Sequence, residues 1–137
     1  MRAAIRHTRG FAMKYLVDSH VAIWLLAAPD KIPARAMAAL EDPRNSLWIS
    51  IASLWEIKLK AAAGKLPLPD EFISAVDAAG FSVLPITLAH IDKATGFPLH
   101  HKDPFDRMLF AQALVEGMTL VSADRKAAAY EVPRLWA

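Results

Sequence analysis

Tyr15-Leu16-Val17-Asp18-Ser19-His20 is an apolar run that stops at a carboxylate, and an apolar helical pattern over Val21 to Ala28 follows at once. A short buried strand feeding straight into a helix is the first half of a βαβ unit. In an open α/β sheet, chemistry collects outside the carboxyl ends of the strands. Asp18 falls at such an end. Taken alone it also has a plain structural explanation, because Asp is a favoured helix N-cap. The question is whether other acids reach the same place.

Working outward, the alternation of short apolar runs and helical patterns continues through the chain. The first strand is expected over Lys14 to Val17, and the first helix over roughly Ser19 to Ala28, stopped by Pro29. That helix is apolar on most sides, with Val21, Trp24 and Leu25 on one face and Ile23 and Leu26 on the other. Such a helix is buried in the core or against a partner. Pro33 is expected to open a second helix that runs to about Glu41. Further strands are expected over Leu47 to Ser50, Phe81 to Leu84 and Met118 to Val121, with a last one over Glu131 to Trp136. Further helices are expected over Ser53 to Ala63, Asp70 to Ala79, from Thr87 to Gly96, over Pro104 to Glu116 and, briefly, over Ala123 to Ala129. This pattern implies a parallel β-sheet of four to five strands with helices on both faces.

The 137 residues fit one domain, and 55% hydrophobic residues are ample for a core. There is no cysteine, hence no disulfide framework, thiolate nucleophile or thiolate metal site. That suits a reducing, cytoplasmic location. No run of about 18 apolar residues is present to span a bilayer. Residues 1–12 hold Arg2, Arg6 and Arg9 and no acid, with no long apolar stretch behind them, so a signal peptide is not expected. The net charge is +2, but the 13 basic and 14 acidic residues beyond position 12 give −1. The near-neutral body makes no electrostatic case for nucleic acid. Met13-Lys14 stands just before the first strand. Residues 1–12 are therefore expected to be an extension or a mis-assigned start, and residues 13–137 the domain.

Each further acid has a plain reading beside a functional one. Ser53-Leu54-Trp55-Glu56 matches a capping box, and Lys60 pairs with Glu56 four residues on. Asp103 fits an N-cap before Pro104, with Asp106 in the first helical turn. Ser122 and Asp124 follow the fourth strand as cap and first-turn acid. Asp18 and Asp124 thus fall at strand ends, while Glu56 and Asp106 fall at helix starts. In a doubly wound sheet both places lie on one edge. Carboxylates crowded there raise one another's pKa unless a cation holds them. An all-oxygen, acid-rich set suits Mg²⁺, or Mn²⁺, rather than zinc. His20, His100 and His101 match no zinc spacing. Trp24 and Trp55 lie in apolar helical stretches and are expected to be core or partner contacts rather than base-stacking platforms.

Four segments together resemble the PIN domain family, and within it the VapC-type toxin ribonucleases of type II toxin–antitoxin systems. They are Tyr15 to His20 with the helix behind it; Ser53-Leu54-Trp55-Glu56-Ile57-Lys58; His101 to Ala113, containing Asp103-Pro104-Phe105-Asp106-Arg107; and Leu120-Val121-Ser122-Ala123-Asp124. The resemblance implies a flavodoxin-like sheet and a Mg²⁺-dependent endoribonuclease that hydrolyses RNA with a metal-activated water, leaving 5′-phosphate and 3′-hydroxyl ends. It implies Asp18, Glu56, Asp106 and Asp124 as the catalytic and metal-holding acids, Asp18 and Asp106 foremost. Asp103 is an extra acid whose role as cap, support or ligand stays open. Ser19 and Ser122 stand where the family often carries threonine or serine. The resemblance further implies an RNA substrate (transfer RNA among the options), a VapB-like antitoxin partner and a homodimer. Lys102, Arg107, Arg125 and Lys126 adjoin the acids, as phosphate contacts or as solvated surface charges. Two other readings stay open: a PIN fold that only binds RNA or protein, and a phosphoacceptor receiver domain. The second wants an acidic pair after the first strand, which Asp18 lacks.

Overall fold

The computed structural model describes residues 12–68, 71–98 and 103–136. The expectations for residues 1–11, for the Pro69-Asp70 start of the fourth helix and for His100, His101 and Lys102 lie outside the described residues. Five strands, β1 (Lys14–Val17), β2 (Ser46–Ser50), β3 (Phe81–Leu84), β4 (Thr119–Ser122) and β5 (Arg134–Trp136), form one parallel sheet in the order β3-β2-β1-β4-β5. The helices are α1 (Ser19–Ala27), α2 (Ala34–Glu41), α3 (Ile51–Ala62), α4 (Phe72–Ala78), α5 (Leu88–Gly96) and α6 (Pro104–Glu116), with a 3-10 segment at Arg125–Tyr130. The class is the one expected. The order differs from that of flavodoxin, in which β3 neighbours β1; here β4 does, with Leu16 opposite Leu120 and Val17 opposite Val121.

Alternate residues of a strand face opposite sides of a sheet. Tyr15 and Val17 accordingly pack with Val21, Leu40, Ile57 and Val76 from α1 to α4. Leu16 and Leu120 pack on the other side with Leu109, Phe110 and Ala113 of α6 and with Tyr130. Both faces are covered, which is why these strands read as continuous apolar runs.

The chain order makes β1 and β4 neighbours although the intervening strands run off to the other side. The connections therefore reverse direction between them, and a crevice opens outside their carboxyl ends. Asp18 closes β1 there, its N–H donating to the Val121 carbonyl at 3.1 Å.

Three local expectations are corrected. α3 begins at Ile51, capped by Ser50, whose Oγ accepts from Ala52 N at 3.0 Å; Ser53 is buried inside the helix rather than capping it. Glu56 therefore lies in the second turn, not the first. Asp124 is itself the N-cap of the 3-10 segment, accepting from Lys126 N, while Ser122 belongs to β4. β5 is shorter than expected because Pro133, which has no N–H, only accepts there, from Leu120 N at 2.8 Å.

Candidate functional site

The crevice is a cleft of about 210 Å³. Asp18, Glu56, Asp103, Asp106 and Asp124 all line it, with the hydroxyls of Ser19, Ser53 and Ser122 and the cations Lys60 and Lys126. The acids come from four separate chain segments, and each is held by the local logic of its own.

Asp18 caps α1: its Oδ1 accepts from Val21 N at 2.9 Å. A hydrogen bond joins its carboxylate to the Ser122 side chain, and the Ser122 Oγ accepts from Asp124 N at 3.0 Å. One serine thus ties the end of β1 to the segment after β4. Ser19 does the same across the cleft, its hydroxyl donating to Glu56 Oε1 at 2.8 Å, while Lys60 Nζ approaches Glu56 Oε2 at 3.2 Å. Asp103 caps α6, with Oδ1 accepting from Phe105 N at 2.9 Å and Asp106 N at 3.3 Å. The helix start thereby holds Asp106 in its first turn. Asp124 keeps Lys126 within 3.8 Å.

Burial pushes the Asp18 carboxyl above the usual carboxylate range. Hydrogen bonds from Ser122 and Val21 and the nearby His20 oppose that shift, and the Asp106 charge adds to it. A buried carboxylate beside a second one is an arrangement that a cation stabilises. Apart from the His20 imidazole, the metal-ligating side chains of the cleft are carboxylates and hydroxyls, oxygen donors of the kind that Mg²⁺ or Mn²⁺ takes. Among the described residues no three acidic or histidine side chains stand close enough together to form a ready-made cage.

Not every expected residue arrives. Arg107 does not line the cleft: its guanidinium donates to the carbonyls of Ala94 (2.9 Å), Phe97 (3.0 Å) and Pro98 (3.0 Å) at the end of α5. Arg125 is exposed and also absent from the lining. Ser53 and His20 line the cleft without having been singled out as site residues. For Ser53 the signal was its place three residues before Glu56, on the same helix face. Trp55 is 60% exposed, which removes the core half of its expected role as a core or partner contact and leaves the partner half open.

The PIN domain family profile matches residues 15–133. A ribonuclease named VapC22 from Mycobacterium tuberculosis is 29% identical over 122 residues, covering 87% of this chain and 93% of that protein. Among solved structures, VapBC2 from Rickettsia felis bound to a promoter DNA fragment has a similar fold, with a TM-score of 0.68 at 14% identity, over 90% of this chain and 98% of that one. A toxin–antitoxin complex from Klebsiella pneumoniae has a TM-score of 0.60 at 18% identity, over 88% and 95%. With a family match running from the first strand to the approach of the last, this chain belongs to the PIN domain family.

Proposed function

We propose that the protein is a Mg²⁺-dependent endoribonuclease and the toxin of a VapBC-type toxin–antitoxin pair. One observation carries the reading: Asp18, Glu56, Asp106 and Asp124, from four chain segments, line a single cleft at the reversal point of the sheet. The ribonuclease name of the Mycobacterium tuberculosis relative supports the activity. The complexes that share the fold support a VapB-like antitoxin as partner; a homodimer is part of the same reading.

In this reading Asp18 and Asp106 would hold the ion, and Glu56 and Asp124 would act through a second ion or through waters. When bound, Mg²⁺ supplies Lewis-acid activation of water and neutralises charge building on the phosphoryl group. Glu56 has both oxygens anchored, by Ser19 and Lys60, and retains lone pairs to orient the attacking water. Water adds to phosphorus, the bond to the 3′-oxygen breaks, and that oxygen leaves with a proton, giving 5′-phosphate and 3′-hydroxyl ends. Lys126, tethered beside Asp124, is placed to meet a phosphate oxygen.

The test is cleavage of a total RNA pool with Mg²⁺. Asp18→Asn and Asp106→Asn are each expected to slow cutting by more than about 100-fold, the upper end of what losing an outer partner of a metal site costs. Variants that cut as fast as the wild type would sink the assignment.

A further inference from the structure

Trp55 and Phe105 are the residues immediately before Glu56 and Asp106. Each lies one residue, about 100° of helical turn, from a cleft acid on its own helix. α3 and α6 pack together. That packing brings the acids to one cleft and the two rings to one shoulder beside it, with centroids 5.3 Å apart in an edge-to-face contact at 69°. Phe105 lines both the acid cleft and an adjoining depression of about 360 Å³, which Leu59 and Lys60 also border. Lys60 belongs to both as well. Phe105 therefore links the acid cleft to the adjoining depression, with Lys60 bordering both, and exposed Trp55 stands against Phe105 outside the two linings.

Single-stranded nucleic acid is held by this combination of a π-face for the base and a lysine for the phosphate. The rival use is a protein contact, since Ile51, Trp55 and Leu59 form an exposed stripe at four-residue spacing. Lysine is depleted at protein interfaces, and here exposed Lys58 and Lys60 flank Trp55. The two lysines and the link through Phe105 to the cleft favour RNA.

We propose that Trp55, braced by Phe105, is a nucleobase-stacking platform for a nucleotide flanking the cleaved phosphodiester of single-stranded RNA, with Lys60 at the adjoining phosphate. The inference rests on the nuclease reading and adds a substrate-binding element to it. Stacking on an aromatic face is tolerant of base identity. The platform therefore selects unpaired RNA over duplex rather than one base over another.

The experiment titrates the intact chain, in chelator, with a single-stranded oligoribonucleotide of about ten nucleotides. It reads dye anisotropy and indole fluorescence. Cleavage with Mg²⁺ and sedimentation are measured on the same samples. Trp55→Ala and Trp55→Leu are expected to weaken binding roughly tenfold, and Trp55→Phe to stay within about threefold. Indole quenching seen with the wild type is expected to shrink in Trp55→Phe. If both the Ala and Leu variants bind RNA as tightly as a wild type that cuts, the platform is wrong and the nuclease reading stands. If those variants change the sedimenting species while RNA affinity holds, the stripe is a protein contact and the platform is again wrong. A wild type that neither binds nor cuts RNA overturns both.

Discussion

Asp18 is a helix cap and a cleft acid at once. Its Oδ1 is engaged by Val21 N, and burial raises its pKa. A carboxyl with a raised folded-state pKa binds more protons in the folded than in the unfolded chain between the two pKa values. Stability is therefore lost as pH rises from the ordinary carboxylate value through the folded one, and the full penalty persists at neutral pH. Asn keeps the capping oxygen without the charge. Metal-free Asp18→Asn is thus expected to be more stable than the wild type at pH 7 by roughly 0.5–2 kcal/mol. Chemical denaturation across pH would show the gap closing below the carboxylate range; a gap independent of pH would refute the burial argument. Each acid was legible in sequence because strand ends and helix starts are written locally. Glu56 was placed a turn too early because Ser53 also reads as a cap; in the structure both serines are buried and it is Ser50 whose Oγ accepts from Ala52 N. Arg107 read as a phosphate contact or a solvated surface charge because it adjoins Asp106. Its true partners lie 9 to 13 residues upstream, beyond any local pattern.

α6 carries Asp103 and Asp106, and α5 is fastened to it at both ends. At the end of α5, Arg107 donates to the carbonyls of Ala94, which also accepts from Phe97 N, and of Phe97 and Pro98 just beyond the helix. At the start, fully buried His90 closes a capping box with Thr87: His90 N donates to Thr87 Oγ1 and Thr87 N donates to His90 Nδ1. The other ring nitrogen, Nε2, faces Glu116 Oε2 at 2.7 Å. Arg107→Ala is expected to destabilise by about 2–3 kcal/mol, in line with loss of a charged hydrogen-bonding group. Arg107→Lys should recover less than half of that, since an ammonium does not reproduce the planar fork; full recovery by Lys in urea melts would show that charge alone matters. His90→Ala removes a buried ring and strips Glu116 of its partner, for an expected loss of about 2–4 kcal/mol. A loss below 1 kcal/mol in the same melts would mean the clasp is not holding α5. The bounds of α6 were readable because Pro104 opens it and Gly117, at φ 66°, closes it in the left-handed region that glycine tolerates. The His90 network was not, because a histidine within an amphipathic pattern gives no hint of an acid 26 residues away.

On the scale of the whole molecule, the parallel sheet was legible because strands covered on both faces read as unbroken apolar runs. The strand order was not, because it depends on which way each crossover leaves the sheet. Yet the order gives the acids their meaning, since only the adjacency of β1 and β4 puts Asp18 and Asp124 on the same crevice. Beyond residue 12 the chain is close to neutral, so this edge is a local concentration of negative charge rather than part of an acidic protein. Folding has to assemble that concentration from four segments against its own repulsion, and a cation that binds only the assembled edge returns the cost. Mg²⁺ is therefore expected to raise the stability of the wild type with the logarithm of its free concentration once that exceeds the dissociation constant, reaching about 2.7 kcal/mol at 100 times that constant. Matched NaCl controls separate this from general screening, which acts on exposed charges whatever the ion. In the proposed reading Asp18 and Asp106 are the two acids that hold the ion. The double variant Asp18→Asn/Asp106→Asn should then show the higher metal-free melting temperature and no further rise with Mg²⁺. A double variant that still gains stability from Mg²⁺ would place the ion elsewhere. A wild type indifferent to Mg²⁺ would mean the edge tolerates its own repulsion, with Ser19, Ser122, Lys60 and Lys126 as the whole of its compensation.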